Sequence, residues 1–528
     1  MKFNRSMFSV AIFSTLMAAT LRAQTFTTDD PVVRRIWNQG MDSSHAYRLA
    51  QTLLDSVGPR LTGTPRIEAG NEWLVSMYAS WGVQAENQQY GTWMRWRRGR
   101  THIDLVAPRV RTLEGTNLAW SPGTNGKTVR GDVMILPDVP SPDAFEAWLP
   151  EVHGKFIAIS FPQPTCRPDA DWEQWATQAS IESMQAAREA ANESWNARAG
   201  RAGFDISTRR AAAGLARRLE EAGAVGILTS RWANGWGVQK IFDARTEQVP
   251  TLDLSCEDYG LVFRLAENGQ SPVLDVMSDA EFLGEGPVFN TIATIPGNEL
   301  PDEYVMLSAH FDSWDAGSGA TDNGTGTITM LEAMRILSIV YPNPKRTILV
   351  GHWAGEEQGL NGSRAFAADN PQIVEGLQAL FNQDNGTGRV VRISSQGLTD
   401  ASGHFARWLS RIPTDITRHI TFQFPGTPSG GGTDNASFVC YGAPAFSLGA
   451  LSWNYGTYTW HTNRDTFDKI AFDDLKNNAT LTAMLVYLAS EDPEKVSRQR
   501  RSVMPIRDGE RMTWPECQPS RRDWSQRR

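Results

Sequence analysis

The sequence predicts an α/β protein whose second half is a mainly parallel sheet with helices on both faces. After Gly286, short apolar runs recur at residues 304–310, 346–353, 379–385 and 443–450, each followed by a polar, glycine-rich loop. Helical patterns lie between them, as at residues 326–341. Strands alternating with helices imply crossover connections that cover both faces of a parallel sheet. A third observation places chemistry on this frame. Histidines and carboxylates fall just past the ends of the apolar runs, where open α/β sheets bind their ligands.

The remaining elements follow in chain order. Residues 1–23 pair a basic start (Lys2, Arg5) with an apolar stretch from Met7 to Leu21, and Ala23 precedes a plausible cut at Gln24. This is the pattern of a cleaved signal peptide, so the mature chain is expected to be secreted or periplasmic. Residues 24–128 open with helical spacing that Gly58-Pro59 interrupts; a second helix follows over residues 66–82, and strand-like runs come next at 101–108 and 131–138. Residues 129–285 differ in character. Runs at 155–161 and 224–230 read as buried strands, with a long Ala-rich helical stretch between them, so this region is expected to be an inserted α/β or β-rich module. Residues 286–494 carry the alternating pattern, and residues 495–528 are Arg-rich without apolar periodicity, the composition of a solvated, partly disordered end.

Composition sets limits on partners. The 528 residues carry a formal net charge of −8, which points to neither nucleic acid nor a membrane surface. No run after the leader is long enough to span a bilayer. Cys166, Cys256, Cys440 and Cys517 lack zinc-finger spacing, and one or two disulfides are expected in an oxidising compartment.

The stretch from Leu307 to Gly326 packs one histidine, three aspartates and four glycines into twenty residues. His310 and Asp312 end one run, Asp322 lies in the following loop, Glu356 and Glu357 follow the next run, and Asp384 follows the third. His461 lies past the last. Imidazole with carboxylate suits Zn²⁺. Five donors are too many for one zinc and right for two that share a carboxylate. His310 and Asp384 would serve one ion, Glu357 and His461 the other, with Asp322 bridging ions about 3.5–4 Å apart. Glu356, left over, is the expected general base and acid. Asp312 is placed to accept the other ring N–H of His310. The other histidines (45, 102, 153, 352, 404 and 419) read as structural.

The motifs "HFDSWDAGSGATDNGTG", "WAGEEQGLNGS", "NQDNGTG" and "WHTNRDTFDKI" resemble those of metallopeptidase family twenty-eight, the dizinc aminopeptidase and glutamate-carboxypeptidase relatives. Ser313-Trp314-Asp315 and the early "DSVGPRLTGTP" resemble one carboxypeptidase branch of it. The resemblance covers roughly residues 42–490 and weakens in the helical insert. It implies a three-layer α/β/α zinc-exopeptidase sandwich with a protease-associated-like insert. It also implies the same ligand set (His310, Asp322, Glu357, Asp384, His461), Glu356 as base, two zinc ions, a cis peptide at Asp322-Asn323, a peptide substrate and a homodimer. Tyr455 and Tyr458 are candidate oxyanion donors. A broad aminopeptidase is the alternative activity. A non-enzymatic relative on the same fold should have lost a ligand or the base. Neither a GxSxG elbow nor an HExxH motif is present.

Overall fold

The structure is a computed structural model that describes residues 28–527; the expected leader and its cut lie outside them. Most strands join one large mixed sheet. At its centre Leu300–His310 pairs in parallel with Arg346–Trp353 on one side and with Leu377–Asn382 on the other, and Ala445–Ala450 adds in parallel beyond that.

Alternation along these strands separates two layers. Val305, Leu307, Ala309, Ile348, Val350, Ala379 and Phe381 face a cluster that includes the helices Thr325–Val340 and Phe472–Glu491. Met306, Leu349 and Leu380 face a second cluster with Phe366, Ala367, Phe438 and Val439, from helices on the opposite side. A strand buried on both faces has no place for polar alternation, which is why these runs are apolar throughout. The helix Pro65–Ser80 starts where Thr64 accepts the Ile67 amide and Pro65 occupies the first turn, where its missing N–H costs nothing.

The chain order creates a switch point. From Leu300–His310 the chain crosses to Arg346–Trp353 on one side, then returns past it to Leu377–Asn382 on the other. Loops leaving adjacent strands toward opposite layers open a crevice at their carboxyl ends.

The antiparallel pair Gln84–Ala107 and Val273–Ile295 reaches out of this unit. Val273–Ile295 pairs with Arg346–Trp353 at one end and with Val129–Ile135 at the other. There Phe156–Ala158, Gly226–Thr229 and Thr251–Leu254 continue the sheet over a separate core running from Ile103 to Val276. This packed unit therefore also draws in residues 103–113, ahead of position 129. Disulfides join Cys166 to Cys256 and Cys440 to Cys517.

The Arg-rich end differs from the solvated segment that its composition suggests. Its charges find partners: the Arg522 guanidinium forks onto Asp369 at 2.9 and 2.7 Å. Trp514 donates to the Val439 carbonyl, and Trp524 packs on Trp93 with ring centres 5.5 Å apart. No helix among the described residues is long and apolar enough to cross a membrane.

Candidate metal centre

The crevice at the switch point collects the sequence-predicted donors. His310 is the last residue of its strand, Glu356 and Glu357 follow Arg346–Trp353, and Asp384 follows Leu377–Asn382. Asp322 sits in a tight turn whose Asp322-Asn323 peptide is cis. The glycines around it allow close approach: Gly319 has φ +60, and a side chain on Gly326 would begin 2.5 Å from the Gln383 carbonyl. Asn323 fastens the turn by donating to that same carbonyl at 2.8 Å.

Two three-donor groups result, His310–Asp322–Asp384 and Asp322–Glu357–His461, each with its donor atoms within 4.8 Å of one another. His310 Nε2 lies 3.2 Å from Asp384 Oδ1 and 3.4 Å from Asp322 Oδ1. His461 Nε2 lies 2.8 Å from Glu357 Oε2 and 3.1 Å from Asp322 Oδ2. The two Asp322 oxygens thus face different histidines. Glu357 Oε1 is buried without a hydrogen bond. Glu356 belongs to neither group.

The electrostatics bear on what the pocket can hold. Burial pushes Glu356 well above the carboxylate range, and the like charges of Asp384, Asp434 and Glu357 add to this against His310. Burial raises Glu357 to about 7 and Asp434 to about 7. Burial pulls the His310 imidazole down, but Asp384 and Glu356 outweigh it and hold its pKa well above the ordinary value. His461 is likewise held at about 9 against burial, chiefly by Glu357 and Asp322. Burial opposes ionisation of Asp322 too, yet its bonds to both imidazoles hold it below the carboxylate range. Without a cation this cluster binds protons, because burying several negative charges together is unfavourable. Imidazole and carboxylate donors with this charge deficit fit divalent zinc.

A second set of residues holds the donors in place. The Asp312 carboxylate accepts from the Glu356 and Glu357 amides at 3.1 and 3.2 Å and so fixes the turn carrying both. The His310 contact differs from expectation: Nδ1 meets the Asp312 main-chain carbonyl at 3.0 Å, and the carboxylate stands at 3.6 Å. Both atoms face the same ring nitrogen, and the carboxylate is held by the Glu356–Glu357 amides. Asp465, four residues past His461 in a quoted motif, accepts from Thr321 N at 2.8 Å and Asp322 N at 3.0 Å. Sequence reasoning missed it, because its partner lies 143 positions away. Arg60 was also missed. Its buried guanidinium donates to the carbonyls of Phe311 (2.7 Å), Ser318 (2.8 Å), Gly319 (3.0 Å) and Gly58 (2.9 Å), wrapping the loop between His310 and Asp322. Ser313 Oγ accepts the Arg60 amide at 3.0 Å, and Asp315 takes Arg98 Nε at 2.7 Å. Both polar residues of the "SWD" stretch thus serve the loop.

Aromatic rings from separate segments surround His461. Trp460 stacks on it at 4.0 Å between centres, Phe242 meets it edge-on at 5.1 Å, and Trp314 lies at 6.0 Å. Phe242 is far from His461 in sequence and packs in the main core, and the neighbouring Ile241 amide donates to the His461 carbonyl at 2.7 Å. Tyr455 lies among the carboxylates, where burial raises its phenol and Asp322, Asp384 and Glu357 add to the rise. Tyr455 and Tyr458 both line a cavity of about 480 Å³ that also borders Thr321, the neighbour of Asp322. His352 has a structural role: Nε2 is 2.7 Å from the Tyr78 hydroxyl, and burial lowers its pKa to about 3.

Residues 290–486 match the model of Peptidase family M28, a span that contains every donor named above. Carboxypeptidase Q of Homo sapiens is 24% identical over 460 residues, 87% of this chain and 88% of its own length. Leucine aminopeptidase 1 of Coccidioides posadasii (strain C735) is 31% identical over 218 residues, 38% of this chain and 55% of its own. Among solved structures, a peptidase M28 precursor from Shewanella amazonensis SB2B superposes with a TM-score of 0.63 at 23% identity, covering 88% of this chain and 97% of that one. BSAP, a zinc aminopeptidase from Bacillus subtilis, superposes with a TM-score of 0.53 at 17% identity, covering 86% and 97%. These two likenesses show the fold.

Proposed function

We propose, from the premise that residues 290–486 are a Peptidase family M28 domain, that the chain is an exported dizinc exopeptidase acting on dipeptides or short peptides with free ends. The observation that carries this reading is the pair of donor groups sharing Asp322, with Glu356 beside them and outside both. His310, Asp322 and Asp384 would hold one ion; Asp322, Glu357 and His461 would hold the other. Zinc bound there supplies the Lewis acidity that polarises a peptide carbonyl and lets water lose a proton near neutral pH.

The chain's own residues do the rest. The Glu356 carboxylate takes the proton of the attacking water and delivers it to the leaving amine. Its raised affinity for a proton suits both halves of that transfer. Asp312 keeps the Glu356 and Glu357 main chain in register, and Asp465 does the same for Asp322. Trp314, Trp460 and Phe242 shield His461 from water. Export is supported by the leader-like amino terminus and by two disulfides, which persist in oxidising compartments.

The identity to a leucine aminopeptidase over part of the chain favours a second reading, a broader aminopeptidase using the same centre. A matched peptide set decides between the two. The zinc-loaded protein is given a free dipeptide, its N-acetyl form and its C-terminal amide. Cleavage of the free dipeptide alone is expected. Equal cleavage of the amide would make it an aminopeptidase, and no cleavage of any would overturn the proposal.

A further inference from the structure

A cavity of about 930 Å³ opens at the outer edge of the sheet, and none of the candidate metal donors lines it. Its floor is one face of three strands. Val390–Ser394 pairs with the edge strand Thr421–Gln423 on one side and with Ala445–Ala450 on the other. Ile393 and Leu448 turn into the main core, so Arg392, Ser394 and Ser447 turn the other way. Gly449 leaves room for Arg392 to lie across its strand: a side chain there would begin 3.1 Å from Arg392 Nε. No residue lining the cavity belongs to a helix; the loop 424–431 and Arg501, Arg507 and Met512 of the carboxy-terminal segment wall it instead.

These walls are rich in donors. Gly397 N and Ser395 Oγ fasten the loop by donating to the Pro425 carbonyl at 2.7 and 2.6 Å, and Ser429 N donates to Gln396 Oε1 at 2.8 Å. The amides of Thr427, Gly430 and Gly431 donate to no acceptor among the described residues. Arg501 bonds only to carbonyls, Gly426 and Val503, each at 2.7 Å. Arg392 and Arg507 make no hydrogen bond or ion pair among the described residues, and no carboxylate lines the cavity. Three guanidiniums therefore share one space with no negative charge in it, although the chain as a whole carries −8. Like charges held this way repel, and an anion between them reverses the sign.

We propose that this cavity is a binding site for a small molecule carrying a diphosphate group. Guanidinium forks match phosphate oxygens, and main-chain amides left free on a glycine-rich loop form an anion cradle. The donors reach the cavity from its floor, its loop and the carboxy-terminal segment. A tetrahedral phosphate accepts from three directions at once, whereas a carboxylate offers two oxygens in one plane. The volume suits a small organic ligand. Phe424 lines the same cavity with half its surface exposed, so a ligand that also carries a flat ring has a face to stack on. This site goes beyond the exopeptidase reading and does not depend on it.

The test is calorimetric titration of the full chain with pyrophosphate, both zinc-loaded and after chelation. Pyrophosphate can also meet zinc at the metal centre, so the chelated arm isolates this cavity. One site per chain is expected in the chelated protein, with pyrophosphate bound ~10-fold more tightly than inorganic phosphate, the order that one further charge-assisted hydrogen bond provides. Arg392→Met and Arg507→Met should each weaken it ~10-fold, with the melting temperature unchanged. Arg392→Lys should recover part of the loss, because it keeps the charge without the fork. ADP binding that exceeds pyrophosphate and falls to its level in Phe424→Ala would assign a nucleotide as the source; equal binding would assign the free diphosphate. No binding to the chelated chain, wild-type affinity in both methionine variants, or triglutamate bound as tightly as pyrophosphate would overturn the site and leave the exopeptidase reading untouched.

Discussion

Replacing Glu356 by glutamine removes one charge and keeps the side chain's shape. The main chain at this position is fixed independently of the side chain. Its amide donates to Asp312 Oδ1 at 3.1 Å, and its carbonyl accepts from Gly359 at 2.7 Å and Leu360 at 2.9 Å. Glutamine should therefore sit where glutamate sat. It cannot take a proton from water, and positioned general acid–base groups contribute ~10²–10⁴-fold, or about 3–5 kcal/mol of barrier. A kcat loss in that range is expected with little change in KM. Metal content should stay at the wild-type value, since Glu356 is in neither donor group. Asp322→Ala makes the contrast: it removes the donor common to both groups, and bound metal should fall. One further consequence has the opposite sign. Glu356 is buried among Asp384, Asp434 and Glu357 and resists ionisation, so glutamine should stabilise the chelated protein above the pH where a free glutamate ionises. Turnover, metal per chain and chelated melting temperature are measured on one preparation. Turnover within about threefold of wild type, with zinc bound, would refute the base assignment.

Two more predictions concern the support around the site. Arg60→Met leaves several buried carbonyls without their donor, and removing one partner of a buried charged network costs about 3–5 kcal/mol, so denaturant midpoints should drop accordingly. Arg60→Lys should rescue little, because an ammonium cannot span carbonyls that far apart; a loss under about 1 kcal/mol for the methionine variant would contradict this. The second prediction is a pH dependence. A carboxyl whose folded pKa is raised gives full stability below its unfolded value and loses it as pH rises through the folded one. Glu357 is raised from 4.5 to about 7, and Asp465 is raised to about 7. The raised His461 loses its contribution between 6.5 and about 9. The chelated protein should therefore melt at progressively lower temperature from about pH 4.5 to about 9, while zinc-loaded protein should stay nearly level over the same window. A chelated melting temperature that is flat or rising there would contradict the reading.

The candidate donors that the fold brings together were legible because they obey a local rule. A hard ligand placed just past an apolar run of five or six residues is a strand-end ligand, and His310, Glu357 and Asp384 each follow such a run. The parallel core was legible for a related reason: strands buried on both faces leave a continuous apolar signature. The support was hidden because it is not local. Arg60 reads as an ordinary cation after Gly58-Pro59, yet apart from the Gly58 carbonyl its partners lie more than 250 positions further on. Asp465 looks like one more acid in a polar loop until the fold brings the Asp322 amide to it.

The end of the chain shows the same limit more sharply. Arginine content without periodicity describes a solvated tail when the charges are free. Here a disulfide first brings the segment to the catalytic unit, and Asp369, Asn361 and Trp93 then supply partners that no window of the sequence contains. Once docked, the segment reaches the centre from a direction the strand-end pattern does not describe. Trp524 packs on Trp120, Trp120 on Trp314, and Trp314 on His461, so packing runs unbroken from the tail to a donor. Residues 241–242 reach the same histidine through Phe242 and the Ile241 amide. The proposed metal centre thus draws on three neighbouring strand ends and the loop after them, while the surroundings of His461 belong to segments distant in sequence. Selectivity among peptides is therefore expected to vary with those segments while the donor set stays fixed.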